Sequence, residues 1–284
     1  MSFGKILAYD GDCPMCDRAS GLAVRLFPGQ PMRQPFQSFT GETAGRLDAA
    51  GIRNEMAVLD PATAEIRSGI PGFLWLLEGS RAAPLGRLLG HQPFLGLLTF
   101  FYRIVSYNRR ILAPPRSHGN PAFRCACDPD DRPGYQLALI ALLLGLALGL
   151  TALFGAAVAA GTGLATPGRG AFQMILAAGS GWVLLLGAAA GLPGELRLRF
   201  VGHLGMVMVV GLLVLVPSML LALVLSGPLL AALFAVSVTA SFLLMLRSLS
   251  RRLRFLGLSL SWLAGWAAAL WAGMAATIWF FYLR

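Results

Sequence analysis

Past Gln136 the chain has almost no acid: Glu195 is the single Asp or Glu in the last 149 residues, against 12 in the first 135. A segment so poor in charge, with apolar runs longer than the roughly 18 residues taken as a span signal, reads as membrane-embedded. Other absences narrow the function. No Gly-Lys-Ser or Gly-Lys-Thr follows any glycine there, which removes a phosphate-binding loop. No nucleotide, flavin or haem motif is visible. No internal repeat or inverted half stands out, which weakens a transporter reading. Cysteine is scarce, with Cys13, Cys16, Cys125 and Cys127 all ahead of the apolar half. A thiol relay across the membrane therefore lacks a far-side pair.

Five spans are expected, at about 137–158, 171–192, 201–225, 229–246 and 256–281, forming a helical bundle over 136–284. Small residues recur at helix-packing spacing, with Gly145 and Gly149, Gly187 and Gly191, and Gly265, Ala269 and Gly273. The formal charge of +10 does not point to nucleic acid, because residues 136–284 hold 8 basic groups against 1 acid while 1–135 hold 15 against 12. Arg132, Arg197, Arg199, Arg247, Arg251, Arg252 and Arg254 fall on one side of a five-span arrangement; Arg169 and Arg284 fall on the other. Arginine asymmetry then puts the N-terminal domain in the cytoplasm and the C-terminus on the opposite face of a multi-pass protein. No signal peptide is expected, since Asp10 and Asp12 interrupt the early apolar stretch.

The soluble part has its own order. Strands are expected at Lys5 to Tyr9 and Met32 to Phe39, helices at Pro14 to Phe27 and Gly41 to Ala50, the latter closed by Gly51. A hairpin follows, Met56 to Leu59 and Ala64 to Arg67 around Asp60-Pro61, then a helix from about Ile70 to Glu78. The sum is βαβαββα, an α/β arrangement of minimal thioredoxin-like type, ahead of the all-α bundle.

The chemistry sits at the first strand-to-helix junction, Tyr9-Asp10-Gly11-Asp12-Cys13-Pro14-Met15-Cys16-Asp17. A cysteine at a helix N-terminus meets free backbone N–H groups and the positive end of the helix dipole, which stabilise a thiolate. Cys13 is the expected nucleophile, Pro14 suits the first helical position, and Cys16, one turn on, is placed to resolve a mixed disulfide. Asp10, Asp12 and Asp17 act the other way where they lie close, since negative charge raises a thiol pKa. In a reducing compartment such a pair is catalytic or metal-binding rather than a structural staple. Half of a zinc site is the other reading, and it needs two further ligands, for which Cys125 and Cys127 are the remaining cysteines.

Two motifs carry a family resemblance. The run Tyr9 to Cys16, and the run Phe101-Tyr102-Arg103-Ile104-Val105-Ser106-Tyr107-Asn108-Arg109-Arg110 with its Tyr-Arg and Asn-Arg pairs, resemble the DCC-type thiol-disulfide oxidoreductases over about residues 1–112. The resemblance implies a thioredoxin-like fold and thiol-disulfide exchange, with Cys13 attacking and Cys16 resolving. Tyr9, Asp10, Gly11, Asp12, Pro14, Tyr102, Arg103, Asn108 and Arg109 are the supporting positions. It implies no cofactor beyond the dithiol itself. Glutathione or another thiol reductant is then the co-substrate, and a disulfide-bearing protein or a low-molecular-weight thiol the substrate. Thioredoxins hold an extended substrate backbone with a cis-proline before the third core strand. Asn54-Glu55-Met56 stands there instead, so binding of unfolded peptides does not carry over.

Residues 113–135 form a proline-rich linker, extended and mobile in expectation, with Cys125-Ala126-Cys127 inside it. The pair reads either as a second dithiol exchanging with Cys13 and Cys16, or as a metal-affine or incidental pair. A disulfide within so small a ring is strained and easily reduced. Phe94 to Leu112 is aromatic and apolar for much of its length and ends in Arg109 and Arg110. It reads either as an interfacial helix on the bilayer or as the last helix packing on the core, where Asp12 and Arg109 become candidates to meet. His203, inside a predicted span, is a functional candidate by position or one half of a structural hydrogen bond. Two functions from different classes stand: a membrane-tethered thiol-disulfide oxidoreductase, and a non-enzymatic membrane protein whose thiols bind a metal or a partner.

Overall fold

A computed structural model describes residues 4–27, 31–78, 81–114, 129–163 and 166–278. The chain divides into two compact units, Met1–Gln136 and Leu137–Arg284.

The first unit is a small mixed sheet with helices. Strands β1 (Ile6–Tyr9), β2 (Met32–Pro35), β3 (Ala57–Leu59) and β4 (Ile66–Ser68) lie in the order β2-β1-β3-β4. β1 runs parallel to β2 and antiparallel to β3, and β4 closes a hairpin with β3. Helices α1 (Pro14–Leu26), α2 (Gly41–Ala49) and α3 (Gly69–Leu77) are interleaved, giving βαβαββα. Side chains alternate across a strand, and β1 separates two cores accordingly. Leu7 packs with Ala23 of α1, Val58, and Trp75 and Leu76 of α3. Ala8 packs with Leu47 of α2, Ile52 and Ala57, backed by Phe36 and Phe39. Because both faces are covered, the strand has a continuous apolar run instead of an alternating one.

Several boundaries differ from expectation for local reasons. The second strand ends at Pro35, where a single 3-10 turn, Phe36–Ser38, begins. Helix α2 stops as anticipated: Gly51 has φ 79°, and the N–H of Ile52 returns to the carbonyl of Leu47, a left-handed glycine cap. A helix absent from the sequence reading, α4 (Ala83–Leu89), follows α3. The Phe94 to Leu112 stretch is two helices, α5 (Phe94–Tyr107) and α6 (Arg109–Leu112), broken at Asn108. Helix α7 (Pro133–Thr162) begins within the expected linker, so its first turn belongs to the first unit.

The second unit is helical. Besides α7 it contains α8 (Pro167–Ala189), α9 (Gly194–Leu221), α10 (Gly227–Phe255) and α11 (Ser261–Ile278). Among the described residues four helices, α7 to α10, are long and apolar enough to cross a membrane. The described part of the expected fifth span is α11, which starts at Ser261 and ends with the described residues at Ile278. The fifth span does not start at Leu256, because Leu256 and Gly257 (φ 70°) cap α10, with the Leu258 N–H returning to the Leu253 carbonyl. Helix α10 also outruns its expected end at 246, carrying Arg247, Arg251, Arg252 and Arg254 in its last turns.

Helices α9 and α10 form an antiparallel hairpin, in which His203 near the start of α9 meets Arg252 near the end of α10. Arg252 Nη1 lies 2.7 Å from His203 Nδ1 with both side chains buried. The structural hydrogen bond is thus the role the geometry gives His203. Glycine packing is present, mostly at positions other than those expected. A Cβ on Gly155 would fall 2.4 Å from the Gly170 carbonyl, and one on Gly273 2.3 Å from that of Ala177. Gly145, Gly149, Gly187 and Gly265 have nothing within 4 Å of that point.

Candidate functional site: the Cys13 and Cys16 dithiol

The turn joining β1 to α1 is built around Asp10. Its Oδ1 accepts from the Asp12 N–H at 3.0 Å and from Gln37 Nε2 at 3.0 Å, and its own carbonyl accepts from the Cys13 N–H at 3.3 Å. Gln37 Oε1 in turn accepts the Gly11 N–H at 3.1 Å. A side chain at Gly11 would meet the Pro35 ring at 3.0 Å, which is why the turn carries glycine. Asp10 is therefore a scaffold as well as a charge.

That turn leaves Cys13 as the N-cap residue of α1 with Pro14 in the first turn. Both thiols are free and buried, with Cys13 at 0% and Cys16 at 6% exposure. They cluster with Tyr9, and Met15 and Met56 pack against them. The Cys13 thiol is lowered to about 6. The Cys16 side chain, hydrogen-bonded to it, is the main cause. Burial opposes the shift, the Cys16 backbone hydrogen bond supports it, and Asp10 and Arg109 act in opposite senses. Cys16 is pushed up, first by that same hydrogen bond and then by burial. One sulfur is thus the better thiolate and the other holds the proton.

Arg109 arrives from α6. At 2% exposure its Nη2 donates to Asp10 Oδ2 at 3.2 Å, and its Nη1 to the Asn54 carbonyl at 3.4 Å. Asp17 is engaged by Arg33. Arg33 also donates to Tyr9 Oη at 2.8 Å and lies over the Tyr9 ring. Tyr9 is thereby fixed beneath the dithiol.

Helix α5 closes the loop ahead of β3. Tyr102 Oη accepts the Met56 N–H at 2.9 Å, Arg103 Nε reaches Glu55 Oε1 at 2.8 Å, and Ser106 Oγ donates to the Asn54 carbonyl. Main-chain groups at 54 and 56 are thus already hydrogen-bonded within the domain. Asn108 lies at the α5–α6 break and donates to the carbonyls of Ile104 and Tyr135 at 2.8 and 2.9 Å, anchoring the start of α7. Asp130 and Asn54 exchange two hydrogen bonds, 2.8 and 2.9 Å long, next to it.

The structure therefore brings together Tyr9, Asp10, Gly11, Asp12, Cys13, Pro14, Cys16 and Arg109, with Tyr102 and Arg103 of α5 holding the adjoining loop. Cys125 and Cys127 lie outside the described residues. Gln37 and Arg33 were not singled out from sequence, being ordinary residues until the fold gathers them. Among the described residues no group of three or more His, Cys, Asp or Glu side chains is arranged to hold a metal ion. Compared with protein-family models, curated proteins and solved structures, the chain finds no match.

Proposed function

We propose that the first unit is a thiol-disulfide oxidoreductase domain of thioredoxin-like, DCC-like type, held at the cytoplasmic face of a membrane by the helical unit. The observation that carries this reading is the asymmetry of the two thiols. Cys13 sits at the start of a helix with its thiolate favoured by Cys16, which keeps its own proton. The β2-β1-β3-β4 order with the Cys-x-x-Cys at the first β-to-α junction supports the fold assignment.

In the proposed reaction the Cys13 thiolate attacks one sulfur of a substrate disulfide. A Cys13–substrate disulfide forms, and the other substrate sulfur leaves as thiolate and takes a proton from water. Cys16 then loses its proton and attacks Cys13 Sγ, which releases the second substrate thiol and leaves a Cys13–Cys16 disulfide. Two electrons have passed to the substrate. Glutathione or another cellular thiol returns two electrons to the pair. Arg109 offsets the negative charge of Asp10 beside the sulfurs. Since Cys13 has no exposed surface, substrate reaches it when side chains around the cluster shift, and Met15 and Met56 are among those packed against it. With the backbone at 54 and 56 committed to α5, a small thiol or a narrow disulfide loop suits the site better than an extended peptide. Clustering of the basic ends of α9 and α10 supports the cytoplasmic assignment through arginine asymmetry.

Complete burial of Cys13 is the observation that favours the second reading, a non-enzymatic domain binding a metal or a partner through its thiols. One experiment separates the two. Full-length protein in detergent is equilibrated in glutathione buffers, its thiols are trapped and mass-analysed, and bound metal is measured in parallel. A reversible Cys13–Cys16 disulfide, replaced by a Cys13 glutathione adduct in Cys16→Ser, is the expected result. Stoichiometric metal with no such disulfide removes the oxidoreductase reading.

A further inference from the structure

Among the described residues, the first unit has an apolar face that its own fold leaves exposed. Along α5 the positions Phe94, Leu97, Phe101 and Val105 follow helical spacing, and each is 43–55% exposed. Leu85 and Leu88 of α4 are similarly exposed. Other positions of α5 face inward: Ile104 is buried, and Tyr102 and Ser106 bond the loop ahead of β3. Packing on the core and presenting an apolar stripe are thus compatible properties of one helix. Exposed contiguous apolar surface of this kind marks an interaction site.

Two further observations identify what covers it. From Gly79 to Cys127 the chain has no acid but seven arginines, Arg81, Arg87, Arg103, Arg109, Arg110, Arg116 and Arg124. Arg81 and Arg87 are exposed beside the α4 leucines. Arg103 and Arg109 pair with Glu55 and Asp10; the exposed Arg81 and Arg87 give the apolar stripe cationic neighbours, a combination that complements a bilayer with acidic headgroups. The stripe's helix is also tied to the entry of the first long apolar helix. Tyr135 stacks on Tyr107 with ring centroids 5.0 Å apart and lies 6.4 Å from Phe100, and the apolar run of α7 starts two residues later at Leu137. Aromatic residues at that point sit at headgroup depth when the helix crosses a membrane, and Phe100 and Tyr107 of α5 contact Tyr135 there.

We infer that α4 and α5 form a membrane-docking surface, which lies on anionic lipid and holds the dithiol unit against the bilayer. The inference depends on the helical unit spanning a membrane and is independent of the dithiol chemistry.

The test uses full-length protein in nanodiscs of phosphatidylcholine and phosphatidylglycerol, with a genetically encoded fluorescent residue at Leu97 or, as control, at Ala62 in the exposed β3–β4 turn. Lipids carrying a shallow nitroxide quencher should reduce emission at 97 by at least about twofold and leave 62 unchanged, as expected for a helix lying at the interface. Phe94→Ser with Phe101→Ser should reverse the quenching at 97, with an unchanged circular dichroism spectrum reporting that the fold persists. Equal emission with and without quencher at 97, or equal quenching at both sites, overturns the proposal. Self-quenching at 97 together with covalent cross-linking between copies also overturns it, because a second copy then covers the stripe.

Discussion

Arg109 and Asp10 form a buried ion pair, Nη2 to Oδ2 at 3.2 Å, that joins residues 99 apart in sequence and leaves each side chain 2% exposed. It fastens the end of the α5–α6 segment to the turn that positions Cys13. Breaking a buried pair by removing one partner leaves a charge with lost compensation and costs about 3–5 kcal/mol. Arg109→Gln and Asp10→Asn are each expected to destabilise the first unit by that order, and the double variant by at least about 1 kcal/mol less than their sum. Urea titration read by thiol alkylation of the denatured fraction measures all three. Strict additivity would show that the pair contributes no coupling.

Thiolate formation at Cys13 is expected to have its midpoint at about 6, below the ordinary thiol value of 9.0. Cys16→Ala removes the main stabilising hydrogen bond, so the midpoint moves up. Arg109→Gln removes a nearby cation and moves it in the same direction. A lowered folded-state pKa means that the folded unit binds fewer protons than the unfolded chain between about 6 and 9. Its stabilising contribution is complete above about 9 and is lost as pH falls through about 6. Thiolate absorbance, taken as the difference between the parent and Cys13→Ser, follows the titration without requiring a reagent to reach the buried sulfur. A midpoint that stays put in Cys16→Ala contradicts the assignment of cause.

Met56 N–H is held by Tyr102 Oη at 2.9 Å, on the loop that packs against the dithiol. Tyr102→Phe leaves that donor without its acceptor, a change of about 1–3 kcal/mol, or a roughly fivefold or greater rise in local opening. Hydrogen exchange at the Met56 amide is expected to accelerate accordingly, while amides of α2 keep their rates. Glutathione-dependent oxidation of Cys13 should speed up in the same variant if loop opening admits the thiol. Unchanged exchange at Met56 would mean that the hydroxyl does not protect the loop.

How much was readable in advance follows from the range of each interaction. The βαβαββα order was visible because Gly51, Pro28-Gly29 and Asp60-Pro61 punctuate apolar runs locally, and because Pro14 marks the start of α1. The dithiol was visible because its chemistry lies within four residues. Tyr102 with Met56, Arg109 with Asp10, and Asn54 with Asp130 are contacts across 46, 99 and 76 residues, and no local pattern encodes them. Helix α4 escaped notice because Pro84 and Gly86 look like breakers, although Pro84 lies in the first turn, where proline is tolerated. In the apolar half the periodic signal fails altogether. Helices that are apolar all round carry no mark of which face meets protein, so the close approaches fell on glycines other than most of those expected.

Those glycines supply a direct comparison of two positions in α7. Gly155 lies so close to α8 that a Cβ would stand 2.4 Å from the Gly170 carbonyl and 2.8 Å from Met174, whereas Gly145 has nothing within 4 Å. Small residues let backbones approach where packing, rather than water, drives helix association. Gly155→Val must separate α7 from α8 and is expected to cost about 1–3 kcal/mol, the usual scale of overpacking. Gly145→Val adds a methyl-bearing side chain to open space and should change stability by much less. Thermal unfolding of the full-length protein in detergent, read by the loss of helical circular dichroism, measures both. Equal sensitivity at the two positions would mean that the α7–α8 contact at Gly155 does not limit the stability of the bundle. A loss confined to Gly155→Val would locate that limit at the crossing with Gly170.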